Sequence, residues 1–87
     1  MSKNEEKTKL PKWFTGEKYS DGGLVQNRFS GDEFELTAEE LSMYDFIMGA
    51  TMMVEMGMMN DDMTADLKKG LDWFRQNNAE AYMVLLD

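Results

Sequence analysis

Residues 37–57, TAEELSMYDFIMGATMMVEMG, decide how this chain folds. Thr37-Ala38-Glu39-Glu40 is a capping box. The threonine hydroxyl accepts from the amide of Glu40, and the glutamate side chain reaches back to the amide of Thr37. Glu39 and Glu40 also suit the positive end of a helix dipole. A helix is therefore predicted from this point to about Met56, with Gly57 as its terminator. On a helical wheel Leu41, Tyr44, Ile47, Met48 and Thr51 share one broad sector, which Met43, Ala50 and Val54 continue and Phe46 extends. Ser42, Asp45, Gly49, Met52 and Met56 fill the other side, which is neither charged nor cleanly polar. A helix apolar nearly all round has to be covered nearly all round.

Downstream, Asn60, Asp61 and Asp62 cap a second helix running to about Asn77. Met63, Leu67, Leu71 and Phe74 make its one-sided apolar stripe. After the break at Asn77-Asn78, AEAYMVLLD (residues 79–87) reads as a short helix docked by Tyr82, Met83 and Leu86. Upstream, GLVQNRFSGDEFELT (residues 23–37) reads as a β-hairpin about a Ser30-Gly31 turn. That turn sets Phe29 opposite Asp32, Asn27 opposite Phe34 and Val25 opposite Leu36 on the dry face. Arg28 with Glu33 and Gln26 with Glu35 fall on the wet face. A bulged variant with Gly31 left-handed shifts the register. Before the hairpin, Trp13, Phe14 and Tyr19 suggest an aromatic flap over a core, with a short strand as an alternative. Residues 1–11, rich in lysine and glutamate, read as a disordered arm. The expectation is one α+β domain over residues 12–87, in which flap and hairpin pack on two main helices and a short third.

With 87 residues the chain buries about 60% of its unfolded surface, so its stability is small. Cysteine and histidine are absent. Disulfides, thiolate metal sites and nucleophile–histidine pairings are thereby excluded. No phosphate-binding glycine loop is present. Charge is unevenly spread. Residues 1–18 carry five lysines against three acids, whereas residues 19–87 carry fourteen acids against four bases, a balance of −10. Ten carboxylates and no cation lie between Arg28 and Lys68. Direct nucleic-acid binding is disfavoured, because phosphate contacts need Lys and Arg. The first nine residues are polar, so no secretory leader is expected. Asp45 and Glu55 interrupt the most apolar window at a cost of roughly 2.5–3.5 kcal/mol each at a bilayer centre. A cytoplasmic setting without membrane contact is the expectation.

The methionines allow three readings. Flexible thioethers fill an irregular core, or they form an adaptable interface. Alternatively, Met48, Met52, Met53 and Met56 have the spacing to surround a soft metal such as Cu(I), a reading that no histidine or cysteine supports. Core and interface are compatible with each other, and together they are preferred. Asp45, Gly49, Met52, Met53 and Met56 are then the partner-binding residues, with homodimerisation the simplest form. A rival reading is a monomeric acidic inhibitor or nucleic-acid mimic that presents Glu33, Glu35, Glu39, Glu40, Asp61 and Asp62 to a basic protein. Asn60, Asp61, Asp62 and Asp66 lack the glycine and distal glutamate of a calcium loop and read as caps. Glu55 reads as a solvent-facing residue near the helix end or as the ion-pair partner of Lys68 or Lys69. No catalytic residue, metal site or cofactor is expected.

At NRFSG (27–31), YDFIMG (44–49) and GLDWFRQNNAEAYMVLLD (70–87) the chain resembles a family of small uncharacterised proteins of tailed phages that infect marine cyanobacteria. The likeness spans about residues 12–87 and includes no catalytic signature. It implies expression in an infected bacterial cell, a setting that suits a small acidic protein acting on host machinery.

Overall fold

The computed structural model describes residues 9–27, 29–58 and 60–86. Its elements run β1 (Gly23–Gln26), β2 (Glu33–Leu36), α1 (Ala38–Glu55), α2 (Asp61–Asn77) and α3 (Ala79–Leu85). The strands form one antiparallel hairpin, so the architecture is α+β as the patterning predicts.

The hairpin register differs from the one that a two-residue turn imposes. Val25 faces Phe34, Gln26 faces Glu33 and Leu24 faces Glu35. Asn27 is the reason. Its Oδ1 accepts from the amides of Phe29 (2.8 Å) and Ser30 (3.2 Å), and its carbonyl accepts from Gly31 at 2.8 Å. The connection is thus wider than two residues, and Gly31 closes it at φ +82°. The slip is two positions, an even number, so each side chain keeps its face. Val25 and Phe34 still point inward with Leu36, while Gln26, Glu33 and Glu35 are exposed. Glu33 meets Gln26 rather than Arg28, which lies outside the described residues.

Helix α1 begins as the capping box requires. The Thr37 amide donates to Glu40 Oε1 (3.0 Å), and the Glu40 amide donates to Thr37 Oγ1 (3.2 Å). It ends in a Schellman turn, in which Gly57 (φ +73°) donates to Val54 O and Met58 to Met53 O. Helix α2 returns antiparallel, and the approach is close because Gly70 lies against Met43 and Ile47. Phe74, Met43, Ile47 and Leu36 form the centre of the core, joined by Phe14 from the flap and by Ala81 and Leu85 from α3. Burying each of the larger apolar side chains contributes about 1.5–3 kcal/mol.

Helix α3 docks differently from expectation. Ala81 and Leu85, an i, i+4 pair, are its buried residues, while Tyr82 and Leu86 flank the core and Met83 is 67% exposed. Among the described residues of the flap there is no strand; an irregular segment turns at Lys12–Trp13. The packed domain also starts before residue 12. Leu10 packs against the core, and the Trp73 indole donates to the Lys9 carbonyl at 3.3 Å. Residues 1–8 of the expected arm lie outside the described residues.

Candidate partner-binding face

Each part of the fold covers a different stretch of α1. The flap lies over its first half. There Phe14 packs edge-on to Phe46 with ring centroids 5.5 Å apart, and Trp13 is tilted against the same ring at 6.1 Å. The Tyr19 amide donates to Ser42 Oγ at 2.9 Å, and Ser42 Oγ donates to Ala38 O at 2.7 Å. Ser42 is therefore buried beneath the flap instead of belonging to the open side where the wheel put it. Helix α2 covers Met43, Ile47 and Ala50. Beyond these contacts the outer side of the end of α1 and the turn that follows it are open, with Met52 58%, Met56 62% and Met58 58% exposed. Val54, assigned by the wheel to the inward sector, is exposed as well, because it lies past the last buried position, Ala50.

Of the residues singled out for partner binding, Asp45, Gly49, Met52 and Met56 are exposed and Met53 is half-buried. A Cβ at Gly49 would meet nothing within 4 Å, so the helix backbone itself is open to approach there. A groove of 340 Å³ runs beside this ridge, between the flap, α1 and α2. Phe46, Ala50, Met53 and Met63 form its apolar part, and Glu17, Asp45 and Asp66 bring carboxylates from the flap, α1 and α2 respectively. On the opposite flank a second groove, of 390 Å³, lies between Met48, Tyr44 and Leu71 on the helices and Asn27 and Phe29 on the hairpin loop.

Asp45 has a neighbour of its own. The Tyr19 phenol is held above its ordinary value, first by partial burial and then by the charge and hydrogen bonding of the Asp45 carboxylate, with Glu17 adding. Glu55 is exposed at the end of α1.

Of the four thioethers weighed for a soft metal, Met48 and Met52 line one groove on α1, Met53 lines the groove against α2, and Met56 is exposed. At the start of α2, Asn60 Oδ1 accepts from the Met63 amide at 2.9 Å, which is the cap expected of it. Among the described residues no group of three His, Cys, Asp or Glu side chains is placed to hold a metal ion.

The acidic set behaves less coherently. Glu40 is 4% exposed and cannot form part of a charged surface. Its Oε1 accepts from the Thr37 amide and its Oε2 from the Asn78 side-chain amide (3.0 Å). Glu33, Glu35, Asp61 and Asp62 are exposed, and Glu39 is half-buried. Glu39 stands at one end of α1, whereas Asp61 and Asp62 follow its other end, about 27 Å along an 18-residue helix. Glu33 and Glu35 lie on β2 of the hairpin.

The contributions of Glu17, Asp66 and Met63 to the groove are not readable from α1 alone. Glu17 comes from the flap, and Met63 and Asp66, three positions apart, come from α2.

The chain matches no family model, no curated protein and no solved structure. Among the described residues no helix is long and apolar enough to cross a membrane.

Proposed function

We propose that the chain is a non-enzymatic protein-interaction module whose contact surface is the outer side of α1, built on Gly49, Met52 and Met56 with Asp45 and Met53 beside them. The observation that carries this reading is the cluster of exposed methionines on the uncovered end of α1. Apolar patches of this kind on small proteins mark interaction sites, and thioethers adapt to varied partner surfaces. Completing the burial of a methionine already about half covered is worth on the order of 1 kcal/mol, so several together support a specific complex. The partner is a protein, either a second copy of the chain or another protein of the same cell. The phage resemblance would make that cell an infected bacterium and the setting its cytoplasm.

Sedimentation at several concentrations distinguishes self-association from a monomer. Capture of partners by the wild type and by Met52→Glu/Met56→Glu tests the surface. Partners lost in the variant support the reading, and partners retained contradict it. The acidic-inhibitor alternative is weaker, since Glu40 is enclosed and Glu39 stands a helix length from Asp61 and Asp62.

A further inference from the structure

The groove beside the methionine ridge has a composition that narrows the partner. Its apolar part is continuous with the exposed ridge through Gly49 and Met53. No Lys or Arg is among the residues that line it, although carboxylates reach it from three separate elements. The nearby Lys69 ammonium is instead stationed over the Trp13 ring, 5.9 Å from its centroid. We propose that this groove receives a basic amphipathic helix of a partner protein, with one apolar side chain seated among Phe46, Ala50, Met53 and Met63 and flanking Lys or Arg side chains paired with Glu17, Asp45 and Asp66. The inference rests on the interaction reading above and specifies its partner.

Helix-in-groove recognition needs an apolar cleft, an open backbone for close approach and charges at the edge to orient the ligand. The groove supplies the cleft, Gly49 the opening and the three carboxylates the orientation. Methionine at the floor and along the ridge adapts to different anchor side chains, as at other helix-binding clefts. A second copy is a poorer occupant. A two-fold interface presents the same patch from both subunits, so the carboxylates of one groove would oppose those of the other, between chains that each carry −8.

The test is fluorescence anisotropy with a labelled leucine/lysine peptide patterned as an amphipathic helix. The controls are a lysine/serine peptide of equal charge and a leucine/glutamate peptide of equal pattern. Gly49→Leu puts a bulky side chain at the cleft, starting from a Cβ that meets nothing within 4 Å, and circular dichroism checks that the helix persists. Glu17→Gln/Asp45→Asn/Asp66→Asn removes the carboxylates. The expected result is saturable binding of the leucine/lysine peptide alone, weakened about tenfold or more by either variant and severalfold by raising salt to physiological strength. Equal binding of either control, or unchanged affinity in Gly49→Leu, overturns the proposal. A concentration-dependent dimer that Gly49→Leu dissolves also overturns it, by assigning the cleft to a second copy. If the peptide fails while Met52→Glu/Met56→Glu still loses partners, the groove is wrong and the interaction face survives. Failure of both removes both.

Discussion

The side-chain amide of Asn78 donates to Glu40 Oε2 at 3.0 Å, across 38 positions of sequence. The same asparagine accepts from the Ala81 amide at 3.1 Å, and its backbone amide closes α2 on Phe74 O. Glu40 meanwhile completes the cap of α1. Two side chains thus fasten the start of α1, the end of α2 and the start of α3. Glu40→Ala leaves the Asn78 and Thr37 donors without their acceptor and is expected to cost about 2–4 kcal/mol in urea unfolding. Glu40→Gln, which keeps one acceptor, should cost less. A surface role for Glu40 would make both substitutions nearly silent.

Asn27 makes a second long-range tie. Its Nδ2 donates to the Val84 carbonyl at 2.8 Å, satisfying one of the last carbonyls of α3, while its Oδ1 shapes the hairpin loop. Asn27→Asp keeps the loop bonds and loses the tie to α3. It should destabilise by about 1–3 kcal/mol and speed hydrogen exchange in α3 before the strands. Equal acceleration in both places would mean that loop and helix are not separately held.

Tyr19 should ionise above the ordinary phenol value near pH 10, through its partial burial first and Asp45 second. Because its folded value is raised, the associated stability is complete below the unfolded value and is lost as pH rises through the folded one. Asp45→Asn should move the Tyr19 titration downward, as followed by the ring ζ-carbon shift in NMR. A titration that does not move would show that Asp45 does not act on the phenol.

Two helical glycines should respond oppositely. At Gly49 a Cβ enters open space, so Gly49→Ala should stabilise by about 0.5–1 kcal/mol through helix propensity. At Gly70 a Cβ would sit 3.2 Å from Met43 Sδ and 3.3 Å from Ile47 Cγ1, both on buried residues. Gly70→Ala should forfeit that gain, and Gly70→Leu should cost about 1–3 kcal/mol or more. Thermal melts of the three variants check the order.

Helix boundaries were legible because local chemistry sets them. Thr37, Glu40, Gly57 and Asn60 act within a few residues of where they stand, and each occupies the role its type suggests. The faces of the hairpin were legible too, since strand alternation survives an even slip. Its register was not, because the deciding bonds run from Asn27 into the loop, and a two-residue turn looked equally well formed. Burial on α1 and α3 depended on what lies opposite. Ser42 disappears beneath a flap 23 positions away, and Ala81 displaces the larger Met83 because helix phase, not size, chooses the docking side. The ridge residues could be named from the wheel of a single helix. The groove could not, because its carboxylates come from three elements that only tertiary packing brings together.

On the proposed reading, Met52 and Met56 serve a partner rather than the core. The measurement closest to it is urea unfolding of Met52→Glu/Met56→Glu, paired with quantitative capture of the proteins that the wild type binds. The expected unfolding midpoint lies near that of the wild type, because both side chains are already more than half in water, and the captured proteins are lost. A variant that unfolds, or one that stays folded and captures the same proteins equally well, contradicts it.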